Sequence, residues 1–251
     1  MALQSSGAIS FANLQAEFGG THPISISEYY RDATPTLTTA NNSSVGNSGN
    51  SISVSDFYDS VKALLIDVEF IGGGGGGTGH SLSSGNPVGV DGGPSGFSTT
   101  VGNVFGTNGA AFGGITGGAG TGGSGDSGFK SSVAGEASYY GPGGAGGINS
   151  VNHGSQRPGN PPPSTSYGAG GGSGGTDFGW DGGNGGNAGS RLTYTFYFVP
   201  AASVTVTVGT GGAGGSGSHS NGGRGADGYV KFTYGNNVTE FTAGGTYTVP
   251  S

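Results

Sequence analysis

From Leu64 onward apolar and polar residues alternate. Leu64, Ile66, Val68 and Phe70 fall on one side and Leu65, Asp67 and Glu69 on the other, the period of two that predicts a half-buried β-strand. The same pattern returns late in the chain. Leu192, Tyr194, Phe196 and Phe198 form one face of a strand and Val204, Val206 and Val208 one face of the next, with Pro200-Ala201-Ala202 as the turn between them. Val230, Phe232 and Tyr234 predict a further strand. The stretch from Phe241 to Val249, centred on Gly244-Gly245, predicts a terminal hairpin.

Residues 1–63 follow another pattern. Ile24-Ser25-Ile26-Ser27-Glu28-Tyr29-Tyr30-Arg31-Asp32 is echoed by Ile52-Ser53-Val54-Ser55-Asp56-Phe57-Tyr58-Asp59. In each copy the second serine is placed to cap a short helix whose first residue is acidic, where the helix dipole favours negative charge. Ser10 is placed to cap a third helix that ends near Gly19-Gly20. Residues 34–50 are rich in Thr, Ser, Asn and Gly and read as linker-like. The first 63 residues therefore predict a small module of short capped helices, with Phe11, Leu14, Tyr29, Tyr30, Phe57 and Tyr58 as aromatic and apolar anchors for docking.

Glycine changes the picture for residues 64–251. It fills 62 of 251 positions and recurs every third residue: Gly114, Gly117, Gly120 and Gly123; Gly168, Gly171 and Gly174; Gly183, Gly186 and Gly189; Gly211, Gly214 and Gly217; Gly222, Gly225 and Gly228. A polyproline II helix has three residues per turn, so each run presents an edge of bare backbone that another backbone can approach. Disorder is disfavoured by composition: 8% of residues are charged and 10% aromatic, the reverse of the usual disordered balance. Collagen is disfavoured because the period breaks every few turns and proline is sparse. The expected fold is mainly β and irregular: the helical module, then a glycine-rich domain of polyproline II (polyglycine II) helices packed with antiparallel β-strands.

Charge and chemistry exclude several functions. A formal net charge of −7, with scattered Lys and Arg, does not suit phosphate neutralisation, so no nucleic-acid partner is expected. The absence of cysteine removes disulfides, thiolate zinc sites and thiol nucleophiles. No apolar stretch is long enough to span a bilayer, and Met1 to Phe18 lacks a basic start followed by an apolar core. His22, His80, His153 and His219 lack metal-ligand spacing. The segment Gly222-Gly223-Arg224-Gly225-Ala226-Asp227-Gly228-Tyr229-Val230 matches the calcium-binding nonapeptide once, but such sites need tandem copies, and the plainer reading is a glycine turn entering a strand. Asp177 and Asp181 flank Phe178-Gly179-Trp180, but nothing nearby completes a hydrolytic site. Neither an enzymatic activity nor a cofactor or metal is expected.

Certain segments resemble a known group. These are Val68-Glu69-Phe70-Ile71 running into Gly72–Gly77, Ser203-Val204-Thr205-Val206-Thr207-Val208-Gly209 running on to Gly215, and Gly225-Ala226-Asp227-Gly228-Tyr229-Val230-Lys231-Phe232. Phe97-Ser98-Thr99 followed by Ala110 to Gly114 adds a fourth. Together they resemble the glycine-rich domains of bacteriophage tail and tail-fibre proteins. In the general plan of glycine-rich fibre-tip adhesins, a small attachment domain precedes a sandwich of polyglycine II helices whose end loops contact the bacterial surface. In related domains a strand like Gly245-Thr246-Tyr247-Thr248-Val249-Pro250 precedes the strand that opens the glycine run; here it closes the chain. The resemblance thus implies a circular permutation, with Thr246 to Val249 paired beside Leu64 to Phe70.

The loops between glycine runs hold Phe97, Phe105, Phe129, Tyr139, Tyr140, Tyr167, Phe178 and Trp180. Aromatics among Ser, Gly and Asn are the vocabulary of antibody loops and of binding hot spots, so these eight are the candidates for receptor binding, shared with a role in capping the bundle. The expected function is a non-enzymatic virion protein assembled in the host cytoplasm: a tail-fibre or fibre-tip adhesin. It would dock to other virion proteins through its N-terminal module and meet a bacterial surface glycan or outer-membrane protein through its loops, without inserting into the membrane. A purely structural baseplate, tail or capsid decoration protein is the first alternative, and an ice-binding polyglycine II protein the second.

Overall fold

The computed structural model describes residues 3–21, 23–31, 42, 44–79, 88–99, 104–106, 111–112, 114–116, 119–120, 134–146, 158–174, 184–218 and 220–251. The described residues of the N-terminal module include one α-helix, α1 (Phe11–Phe18), and two 3-10 turns, Ile26–Tyr29 and Val54–Phe57. Ser10 caps α1 by accepting the Asn13 N–H at 3.2 Å, and Asn13 Oδ1 accepts the Ser10 N–H in return. Gly19 ends the helix at φ +83°.

The echoed motifs cap two residues earlier than their spacing suggests. Ser25 and Ser53, not Ser27 and Ser55, precede the turns, and Glu28 and Asp56 stand at the third position, where their carboxylates accept the Ser25 and Ser53 N–H at 3.1 and 2.7 Å. An acid at the third position reaches back to the cap N–H, which one at the first position cannot do. The two copies then meet. Tyr29 and Phe57, equivalent in the echo, pack edge to face with ring centroids 6.2 Å apart, and with Leu14, Phe18 and Val45 they form the module's core. Val45 is fully buried, and the Asn42 amide both donates to Val61 O and accepts from Val61 N at 2.8 Å. This part of the linker-like stretch therefore packs as part of the module.

Loss of a serine cap costs about 1 kcal/mol. Ser10→Ala is expected to lower hydrogen-exchange protection of the α1 amides about fivefold, with the amides of residues 64–71 unchanged.

Beyond Ala63 the described residues form ten strands: β1 (Leu64–Ile71), β2 (Gly96–Ser98), β3 (Val104–Gly106), β4 (Ala111–Phe112), β5 (Gly114–Thr116), β6 (Arg191–Phe198), β7 (Ser203–Thr207), β8 (Tyr229–Tyr234), β9 (Asn237–Phe241) and β10 (Gly245–Thr248). They form two antiparallel sheets, ordered β4-β3-β6-β1-β8-β9 and β10-β7-β2-β5. The fold is thus mainly β with few helices. The predicted apolar faces close on one another: Ile66, Val68, Phe70, Phe196, Phe198, Val230 and Phe232 from the first sheet meet Phe97, Val204, Val206 and Tyr247 from the second.

Two expectations fail here. The stretch from Phe241 to Val249 is not a hairpin, because β9 pairs with β8 while β10 crosses to the other sheet and pairs with β7. The hairpin is β8–β9, turned by Gly235 at φ +57°. By the same crossing, β10 lies in the other sheet from β1 instead of pairing with it. From there the Tyr247 ring stacks on Phe232 of β8 at 4.1 Å.

The strands run straight into glycine segments: β1 into 72–79, 88–93 into β2, 184–190 into β6, β7 into 209–217 and 220–228 into β8. Residues 222–228 are therefore an extended run ahead of β8, not a turn. In the segment 73–78 successive N–H groups address three neighbours in rotation. Gly73 and Gly76 donate to Gly93 and Val90, Gly74 and Gly77 to Ala226 and Gly223, and Gly75 and Thr78 to Asn187 and Asn184, at 2.8–3.1 Å. The carbonyls follow the same rhythm. Gly74 and Gly77 accept from Gly212 and Gly215, Gly75 and Thr78 from Gly171 and Gly174, and Gly73 from Gly120. Three neighbours reached by donors and three by acceptors surround the segment, and these buried polar groups are satisfied main chain to main chain. Such close packing requires glycine: a Cβ at Gly76 would fall on the carbonyl of Ala213, and one at Gly77 on that of Gly172.

Candidate functional site

The same hydrogen bonds set the level of each segment along the bundle. Gly168 lies level with Gly189 and Gly72, and Gly171 with Gly75, so the turns at 138–141 and 161–167 lie at the sandwich end. There they bring together three of the predicted receptor-binding residues. Tyr140 packs against Tyr139 (5.3 Å), Tyr167 (5.7 Å) and the buried Tyr229 of β8 (5.0 Å), and Tyr167 stacks on Tyr229 at 4.9 Å with the rings 15° apart. Tyr139 is 69% exposed.

The tyrosines stand on an ionic base in the six-stranded sheet. Glu69, only 4% exposed, accepts from Arg191 Nε at 2.6 Å and Lys231 Nζ at 2.8 Å. Lys231 lies directly opposite Glu69 in the β1–β8 register, and Arg191 lies diagonally across β6, positions from which long side chains reach one another. The Tyr140 hydroxyl donates to Glu69 Oε1 at 3.2 Å, and the Arg191 guanidinium lies 3.9 Å over the Tyr139 ring, a cation–π contact. Burial raises the affinity of Glu69 for a proton, but the hydrogen bonds from Arg191 and Lys231 outweigh it, and the carboxyl stays below its ordinary range. Burial pushes the Tyr229 hydroxyl up, as does its 2.7 Å bond to Glu240; burial and the Glu69 charge raise Tyr140. The Tyr140 and Tyr229 hydroxyls and the ion pairs therefore keep one charge state across neutral pH. The result is a fixed surface of packed rings.

The other predicted residues separate by burial. Phe97, 3% exposed, is the hub of the sandwich core, touching Phe70, Phe196, Phe198 and Phe232 within 6.1 Å, and has no surface to give a receptor. Phe105 lies in β3, paired with β4 and β6. Phe129, Phe178, Trp180, Asp177, Asp181 and the four histidines lie outside the described residues. Of the docking candidates, Leu14, Tyr29 and Phe57 are buried in the module core, because so small a module needs its largest apolar side chains inside. Phe11 is 43% exposed, while Tyr30 and the Tyr58 ring are half-buried, with the Tyr58 hydroxyl donating to Gly7 O.

Glu69, Arg191, Lys231 and Tyr229 were not predicted. The polar face of β1 and the matching face of β8 carry a signal for Glu69 and Lys231, but their pairing spans more than half the chain and leaves no local trace. Asp227, part of the nonapeptide match, uses Oδ1 to accept the Gly211 N–H at 2.7 Å and to pair with Arg224. No group of three potential metal ligands occurs among the described residues. No protein-family model, curated protein or solved structure matches this chain.

Proposed function

We propose that this chain is a bacteriophage virion protein, a tail-fibre or fibre-tip adhesin that docks on the particle by its N-terminal module and holds a receptor-binding surface on a glycine bundle. The glycine segments are read as polyglycine II helices. The support is the rotation of hydrogen bonds from 73–78 through three neighbours in steps of three residues, the repeat of a helix with three residues per turn. One observation carries the adhesin reading: Tyr139, Tyr140 and Tyr167 converge at the sandwich end of that bundle, with Tyr139 left exposed over Arg191. Rigid, exposed tyrosines supply contact area at low entropic cost, and several copies on one particle would multiply a weak contact. The partner expected for this surface is a bacterial surface glycan or outer-membrane protein; Phe11, Tyr30 and Tyr58 remain the docking candidates.

The test is binding of labelled protein to cells of the bacterium that the parent particle infects. Tyr139→Ala is expected to weaken saturable binding at least tenfold with an unchanged melting temperature, as truncation of a hot-spot tyrosine does; Trp180→Ala is measured alongside it. Absence of binding by the wild-type protein overturns the adhesin reading. The alternative is then a purely structural baseplate, tail or capsid decoration protein.

A further inference from the structure

Next to the tyrosines is a cleft of about 500 Å³ between Pro161–Pro163 and the segment 224–227, a size within the range of roughly 300–1,000 Å³ typical of small-molecule sites. One wall is aromatic and rigid. Tyr167 lines the cleft, with its ring backed by the stacked, buried Tyr229 and held at its edge by Tyr140. The lining also carries a polar pair. Arg224 and Asp227 pair there, both about half exposed, and the Gly211 N–H fixes Asp227 by Oδ1, so that the carboxylate is held in place to accept from a ligand. The floor is Gly225 and Ala226, main chain with little side-chain bulk, and the hydroxyl residues Ser164, Thr165 and Thr242 stand around the rim.

We propose that this cleft binds a neutral pyranose unit of a bacterial surface glycan; the proposal deepens the adhesin reading and rests on it for the source of the sugar. A pyranose has two chemically different aspects: an apolar face of C–H groups, which packs on a flat ring such as Tyr167, and equatorial hydroxyls, which donate to a carboxylate and accept from a guanidinium. The cleft offers both, the Tyr167 ring and the Arg224–Asp227 pair. Its one cation and one anion cancel, so it has no net charge with which to select an anionic sugar. The preformed backing of Tyr167 means that little side-chain freedom is lost on binding.

The experiment is saturation-transfer NMR of the full chain with methyl glycosides of neutral hexoses and N-acetylhexosamines, and with the delipidated surface polysaccharide of the host. Transfer to at least one glycoside is expected, reduced at least fivefold by Ser164→Trp, which fills the cleft from an exposed position and cannot disturb the core. Ser98→Trp, on the exposed face of the other sheet, serves as the control and is expected to leave transfer unchanged. Transfer to none of these probes, or transfer that survives Ser164→Trp, overturns the site. Wild-type protein that binds whole cells without recognising any saccharide overturns the site and leaves the adhesin reading standing, with a surface protein as receptor. Glycoside binding without cell binding supports the site and overturns the adhesin reading.

Discussion

Gly76→Ala is expected to destabilise the glycine bundle by about 3 kcal/mol, the upper end of the range for overpacking. The added Cβ would fall on the Ala213 carbonyl, and the neighbouring main chain cannot yield: Gly77 donates to Gly223, Gly75 to Asn187 and Gly74 to Ala226, all at 2.9 Å. Room for one methyl group must come from moving a whole segment, and each displaced segment strains hydrogen bonds to its own neighbours. For a domain of this length the cost corresponds to a fall in melting temperature of roughly 6–12 °C. Gly244→Ala is the control. Its Cβ would meet only Val206 O at 3.4 Å, an ordinary contact, and a change within about 0.5 kcal/mol is expected. Scanning calorimetry of the two variants beside the wild type decides the matter; equal melting temperatures for Gly76→Ala and wild type would refute close main-chain packing around this segment.

Replacing Glu69 by Gln is the second large effect. The carboxylate is the common anion of Arg191 and Lys231, and its loss leaves two cations facing each other across the sheet. Breaking a buried pair costs about 3–5 kcal/mol. Arg191 and Lys231 are 39% and 28% exposed and can turn to water, so the lower end of that range, about 3 kcal/mol, is expected. The effect carries a pH signature. The folded-state carboxyl titrates below the 4.5 of a free glutamate, so its stabilisation is complete above that value and is lost as pH falls through the lowered folded one. The difference in melting temperature between wild type and Glu69→Gln should therefore be constant from about pH 5.5 to 8 and shrink steadily below 4.5. A difference that persists unchanged to pH 3 would mean that packing, not charge, accounts for the loss. Because Tyr140 donates to Glu69 and Arg191 lies over Tyr139, the same variant should also loosen the tyrosine surface, seen as broadened Tyr139 and Tyr140 ring resonances.

The candidate site was legible in part. Tyr139, Tyr140 and Tyr167 stood out as aromatics in glycine-rich loops, and they meet; Phe97 stood out for the same reason and is the centre of the core. Nothing in a phenyl ring's immediate neighbours tells the two fates apart. A short Gly-Phe-Ser strand and a short loop read alike, and only the pairing of β2 with β7 and β5 turns Phe97 inward. Leu14, Tyr29 and Phe57 make the same point in the N-terminal module, where apolar anchors serve equally for docking or for a core until the other core residues are in place.

The sequence by itself determined whatever acts over a few residues. The alternation of β1, β6, β7 and β8 follows from the two-residue period of a strand, the Ser10 cap and the Gly19 stop of α1 from main-chain groups within one turn, and the recurrence of glycine every third residue from the need to keep a repeating edge bare. Tertiary structure decided everything that joins distant residues. It set which sheet receives β10, which neighbours Gly73–Thr78 bond to, and that Glu69, Arg191, Lys231 and Tyr140 share one site. The reason is physical: β pairing and glycine packing are made by backbone groups that every residue carries alike, so the chain can encode that such bonds form but not with which partner. The choice of partner is left to the closure of the sandwich core and to the close packing that only glycine permits.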